Sequence, residues 1–244
     1  MKLFKYFILA SILSVTSCKK NKDIIVDNNS SVGSSSEAFL SDEHYKKLDI
    51  QILYMPGYLP NQNSIENLKD FLFDHLNKPQ GINITTKEIP SSTQSVYTLD
   101  NLKSIESNHR TFYNDENTLA ASIIVVDGKY SSENVLGVAY KNTSMAIFGE
   151  TINENAGGLN QPSKTKLEST ILNHEFGHVL GLVNIGCPMV VDHEATNNSG
   201  HCNNENCLMY YAVETTDIAS FLIGNDILTI DENCKKDLQG NGGK

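Results

Sequence analysis

The chain has 244 residues, a formal net charge of −10 at pH 7 and 39% hydrophobic residues. That length suits one large domain or two small ones, and the composition excludes a wholly disordered chain and a multi-span membrane protein. The acidic balance leaves no basic footprint for phosphates, so a nucleic-acid partner is not expected.

Lys2 and Lys5 open the chain, and residues 6–15 are almost wholly apolar. The run is too short to span a bilayer and has the layout of a secretory signal. It ends in Ser14-Val15-Thr16-Ser17-Cys18, which resembles the lipobox of bacterial lipoproteins. The resemblance implies cleavage before Cys18, lipidation of that cysteine, and a membrane anchor without a transmembrane helix. Cleavage there removes two lysines and no acids, taking the charge from −10 to −12. Lys19 and Lys20 follow, with no Asp after the Cys. In a Gram-negative cell this implies the cell envelope, at the outer membrane or cell surface rather than the inner membrane. Residues 18–40 are expected to form a lipidated, flexible tether, since 28–36 is Asn, Ser and Gly with a single Val and buries no core. The folded part is expected over 41–244, with an N-terminal lobe over 41–182 and a C-terminal lobe over 183–244.

From residue 49 the pattern changes. Residues 49–55 alternate in part and predict a strand, stopped by Pro56-Gly57. Ile65, Leu68, Leu72 and Leu76 have helical spacing, with Ser64 as the expected N-cap. A second strand is predicted over 81–89 and a weaker helix over 98–110. Residues 119–126 form a continuous apolar run, as in a central strand covered on both faces. Two shorter strands follow over 135–140 and 144–148. An early strand–helix–strand unit implies a parallel pair and an α/β layer. An edge that an extended peptide can join is expected along 144–149.

The long helix over 164–182 carries His174-Glu175-Phe176-Gly177-His178. Residues four apart share a helix face, so the two imidazoles can meet one metal ion. Zinc accepts neutral imidazole and tolerates one open position. Glu175, one step round the helix, can take a proton from a metal-activated water. Gly181 can end the helix and turn the chain back beneath the metal.

His174 to Gly181 resembles HExxHxxG, the start of the metzincin zinc-peptidase motif. The family has its third ligand three residues after the Gly, where this sequence has Asn184, a weak zinc donor. Downstream, His201-Cys202, four residues, Cys207, one residue and Met209 resemble the continuation of the motif in archaemetzincins, a metzincin branch. Nineteen residues separate Gly181 from His201 where the family has two, an insertion of seventeen. Closure entropy grows only logarithmically with loop length, so a loop over 183–200 can still return His201 to the metal. His193 and Asn184 are the rival third ligands.

The resemblance implies a zincin or metzincin-like α/β (α+β) fold. Its parts are a twisted mixed sheet, a backing helix, an active-site helix and a small irregular C-terminal lobe ending in a helix, here expected over 224–239. It implies Zn²⁺ held by His174, His178 and His201, with Glu175 as general base. It also implies Met209 in the Met-turn beneath the metal and Tyr211 as an oxyanion stabiliser, with Tyr210 competing. Without Cys18 four cysteines remain. Archaemetzincins hold a second, structural zinc with cysteines ending in a CxxC, which this chain lacks. An exported chain with an even count favours disulfides, and local closure would pair Cys202 with Cys207 and Cys187 with Cys234. The expected function is a zinc-dependent endopeptidase, monomeric, acting on a protein or peptide substrate and anchored to a membrane by lipid. The alternative is a catalytically inactive zincin-fold surface lipoprotein that binds protein or glycan.

Overall fold

The computed structural model describes residues 26–92, 94–223 and 226–244. The expected signal segment over 1–17 and Cys18 lie outside the described residues. Among those described, no helix is long and apolar enough to cross a membrane.

In chain order the elements are α1 (Ser36–Leu40), β1 (Lys47–Tyr54), α2 (Gln62–His75), β2 (Ile82–Glu88), β3 (Val96–Tyr97), α3 (Leu99–His109) and β4 (Thr118–Val126). There follow β5 (Lys129–Tyr130), β6 (Gly137–Lys141), β7 (Ser144–Phe148), α4 (Gly149–Asn155), α5 (Lys164–Val179), β8 (Glu194–Ala195) and β9 (Asn198–Cys202). A 3-10 turn (Tyr211–Glu214), α6 (Ile218–Phe221) and α7 (Glu232–Gly240) complete the chain.

The main sheet runs β2-β1-β4-β7-β6. Its first four strands are parallel, and β6 is antiparallel to β7. Alternation along β1 and β4 feeds two cores. Ile50, Ile52, Ile123 and Val125 face the layer of α2 and α5. Leu53, Ile124 and Val126 face the layer of Leu102, on α3. The run over 119–126 is therefore buried on both faces, as its composition predicts.

Helix starts follow local chemistry. Asn61, not the expected Ser64, caps α2 by accepting from the Asn63 amide. Ser64 is buried and donates instead to Glu168 on α5 at 2.8 Å. Thr98 and Asn101 close a reciprocal capping box on α3.

Four further expectations change. The segment 144–149 is not an edge: β7 lies between β4 and β6, and the edge on that side is β6, with β2 at the other. A buried run such as Ser144–Phe148 belongs inside a sheet, while the half-buried Val138–Lys141 suits the rim.

Residues 26–40 are packed on the core rather than forming a tether. Val26, Ala38, Phe39 and Leu40 join the main core, and Phe39 meets Phe176 of α5 edge-on with ring centroids 5.7 Å apart. The polar part is held by hydrogen bonds, including Asn142 Nδ2 to the Asp27 carbonyl (2.8 Å) and to Ser35 Oγ (2.7 Å). A Ser/Asn-rich composition conceals such pairing because its donors and acceptors are satisfied from distant strands.

The insertion over 183–200 is more than a loop, since β8 and β9 pair antiparallel within it. The closing helix is α7 alone, shorter than the expected 224–239. Asp231 caps it, accepting from the Asn233 and Cys234 amides, and so sets its start.

Candidate metal centre

Helix α5 carries the first histidines and is buried over residues 167–179. It lies between the sheet, α2 and the C-terminal segment, so its polar residues need internal partners. Glu168 accepts from the Asn61 amide and Ser64, and Ser169 accepts from Asn67. The helix ends in a Schellman motif. The Leu182 amide bonds the Gly177 carbonyl at 3.0 Å and the Gly181 amide bonds that of His178 at 2.9 Å. Gly181 takes φ +82°, and a Cβ there would lie 2.7 Å from the Cys187 amide nitrogen. Only glycine lets the chain reverse there.

That reversal begins the path that returns His201 to the helix. The ring centroid of His201 lies 5.5 Å from that of His174 and 4.9 Å from that of His178. The Nε2 atoms of His174 and His178 are 3.1 Å apart. Two nitrogens bound tetrahedrally at 2.0–2.1 Å to one zinc stand about 3.3 Å apart, so the pair fits the ion. His174 Nδ1 lies 2.7 Å from the Leu208 carbonyl, which leaves Nε2 free to ligate. His201 Nδ1 faces the Ser199 carbonyl at 3.3 Å, and its buried Nε2 has no hydrogen-bond partner. Burial lowers the pKa of His174 to about 4, with His201 adding to the effect. Burial, with His174 and His201, also lowers that of His178. Both shifts favour the neutral, metal-binding form of His174 and His178.

Glu175 is fully buried beside the edge strand. A Cβ on Gly137 would lie 2.9 Å from its Oε1, and neither oxygen makes a well-formed hydrogen bond. Burial, then the charge of Glu214, raises its pKa well above the usual carboxylate range. Met209 is buried, and its sulfur packs against Gly177 on the underside of α5. Tyr211 opens the 3-10 turn, 36% exposed, with its ring 4.6 Å from that of Tyr210.

Sequence reasoning missed Glu214, the last residue of that turn. It offers a carboxylate oxygen to the same cluster as the three histidines, all four ligand atoms lying within 4.8 Å of one another. No motif pointed to it. Only the pairing of its backbone with the segment before β6 brings it there.

The rival third ligands go elsewhere. Asn184 sits at φ 65° in the turn after α5. His193 is buried in a second cluster with Cys202, Asp231 and Cys234. The expected Cys202–Cys207 and Cys187–Cys234 disulfides are not formed, for all four cysteines are free thiols. Cys207 and Cys234 face each other at 3.6 Å between sulfurs, and Cys187 stands apart, its thiol donating to the Asp237 carbonyl at 3.3 Å. Pairing by nearness in sequence fails because α7 brings Cys234 against Cys207.

The second cluster fits a metal by its donor set. His193 Nδ1 is 3.4 Å from the Cys202 sulfur, while its Nε2 is 2.7 Å from Asp237 Oδ2. A carboxylate behind a histidine is the usual support of a ligating imidazole. The Met209 and Asp231 amides donate to Cys207 Sγ at 3.4 and 3.3 Å, and the Asn204 amide to Cys202 Sγ at 3.5 Å. Hydrogen bonds from Cys202 and Cys234, with the Asp231 and Met209 amides, outweigh burial and push the Cys207 thiol down toward thiolate. Asp231 is already engaged, capping α7 with Oδ1 and accepting from Asn204 with Oδ2. Cys207, 3.6 Å from Cys234 between sulfurs, is a further thiol beside this group and can replace Asp231 as the fourth donor.

No family model matches the chain, and no curated protein does. Among solved structures, it is similar to the crystal structure of archaemetzincin from Methanopyrus kandleri, with a TM-score of 0.55 at 14% identity over 80% of this chain and 96% of that one. The fold is of that archaemetzincin-like type. Metalloproteinase-II from Bacteroides fragilis aligns over 91% of this chain and 58% of that one, with a TM-score of 0.44 at 14% identity.

Proposed function

We propose that this chain is a zinc-dependent endopeptidase whose metal is held by His174, His178 and His201. The observation that carries the reading is the meeting of these three imidazoles beside the buried Glu175. When bound, zinc supplies a Lewis acid that polarises the scissile carbonyl and activates water. Glu175 takes the proton of the attacking water and delivers it to the leaving amine. Its apolar surroundings raise its proton affinity toward that task. Met209 supports the helix from below, and Tyr211 would steady the oxyanion. A substrate peptide would add along the outer edge of β6, the sheet edge that flanks Glu175.

We further infer a second, structural metal at Cys202, Cys207, Cys234 and His193, closed by four protein donors. The lipobox-like sequence at Cys18 supports lipidation and a place in the cell envelope. The rival reading, an inactive binding module, drew on Asn184 at the expected third-ligand position. His201 beside the other two histidines supports the peptidase instead.

The test measures zinc content and cleavage of denatured proteins for the full chain and for Glu175→Ala. Metal retained with cleavage lost supports the peptidase. Metal retained with no cleavage by either protein, across a broad substrate set, sinks it. For the anchor, Cys18→Ser should abolish incorporation of labelled palmitate, and unaltered labelling would refute it.

A further inference from the structure

Glu214 is held by its backbone rather than by chance of side-chain rotamer. The Leu136 amide donates to the Glu214 carbonyl at 2.8 Å, and the Thr216 amide donates to the Asn134 carbonyl at 2.9 Å. Val135 and Thr215 form an antiparallel bridge between them. Residues 214–216 thus pair with the chain entering the edge strand β6. From this anchored position Glu214 Oε2 reaches to 3.5 Å from His201 Nε2. Its oxygen and the three histidine nitrogens lie within 4.8 Å of one another. Tetrahedral nitrogen and oxygen donors at about 2.0–2.2 Å from zinc stand about 3.3–3.5 Å apart, and the 3.5 Å between Glu214 Oε2 and His201 Nε2 falls in that range.

We infer that Glu214 is a fourth protein ligand, and that the resting site is closed by three imidazoles and one carboxylate. This rests on the three-histidine reading of the metal centre. Four protein donors are the mark of a metal that does no chemistry, while hydrolysis needs one position open. The site opens when Glu214 withdraws. The segment that carries Glu214 is also the one paired beside the substrate edge. That pairing is with residues 134–136, directly before β6, so the exchange takes place at the end of the proposed substrate edge. The ligand exchange makes and breaks no covalent bond in the protein.

The probes are cobalt(II) for the metal and acetohydroxamate for the open position, on the full chain with the visible absorption of cobalt as readout. His178→Ala supplies the spectrum of cobalt held elsewhere, for subtraction. The expected result for Glu214→Ala is an altered cobalt spectrum before any ligand is added. Acetohydroxamate should then bind about tenfold tighter or more, a competing donor having been removed. Glu214→Gln, which keeps the shape but weakens the donor, should move both readouts the same way. If a folded Glu214→Ala protein keeps the wild-type spectrum and binds acetohydroxamate no more tightly, Glu214 only orients His201 and the inference is overturned, with the three-histidine centre intact. If the wild type shows no cobalt spectrum beyond that of His178→Ala, the metal reading itself fails.

Discussion

Asp237 holds the ring of His193 through a 2.7 Å hydrogen bond to Nε2, and so turns Nδ1 toward the sulfur of Cys202. Asp237 follows Cys234 by three residues, where a CxxC would place its second cysteine. If the cluster binds metal, Asp237→Ala should weaken it by about 10–100-fold. Zinc per chain should fall by one under a competing chelator while the His174 site keeps its metal. Unchanged zinc content and affinity would remove the second site.

Gly137 touches Glu175 so closely that any side chain must displace it. A Cβ there would lie 2.8 Å from both Glu175 Cγ and Ile171 Cγ2. Gly137→Ala should retain zinc yet lose about 100-fold in peptide cleavage, because a misplacement of roughly 1 Å in a catalytic group has that effect. Cleavage at the wild-type rate, measured on one fluorogenic peptide, would show that Glu175 does not need this close seat.

The N-terminal segment is part of the core. Phe39 is fully buried and edge-on to Phe176, between the two motif residues of α5. Phe39→Ala should destabilise the domain by about 3–5 kcal/mol in urea unfolding. A loss below about 1 kcal/mol would restore the tether reading of residues 26–40.

A buried ion-pair group supplies an acid-sensitive contribution. Glu106 meets Arg110 at 2.7 Å and Lys141 at 3.0 Å, and accepts from Ser144 at 2.5 Å. Burial acts to raise its pKa, but the hydrogen bonds of Ser144, Arg110 and Lys141 outweigh it and bring it below the usual 4.5. A carboxylate whose folded pKa is depressed contributes stability above its unfolded value, and that contribution is lost as pH falls through the folded value. Stability should therefore drop below about pH 4.5, and Glu106→Gln should flatten that part of the profile. The substitution should also cost about 3–5 kcal/mol at neutral pH, since it leaves Arg110 buried without its counter-charge. Denaturant midpoints across pH 3 to 7 measure both effects, and a parallel profile in the variant would assign the acid loss elsewhere.

Much of the architecture was legible because it is written in local periodicity. Leu119–Val126 announces a doubly covered strand, and the spacing of Ile65, Leu68 and Leu72 announces α2. What escaped lies where partners are distant. The Ser/Asn-rich stretch before α1 has no apolar period, and its order comes from Asn114 and Asn142, more than eighty residues away. The edge strand was misplaced because strand order is set by crossovers, which a linear pattern does not record. Sequence distance suggests Cys202–Cys207 and Cys187–Cys234, whereas the fold gathers Cys202, Asp231 and Cys234 around His193 and sets Cys207 against Cys234.

From 244 residues with a charge of −10, the sequence alone determined an acidic α/β domain with two histidines on one helix face and a glutamate beside them. The helix repeat does this by itself, since residues four apart meet wherever the helix is placed. Which third histidine joins them, where Glu214 reaches, and what His193 serves were decided by tertiary structure. Those side chains come from the segments after α5, and only the Gly181 reversal and the pairing with the β6 edge bring them into range.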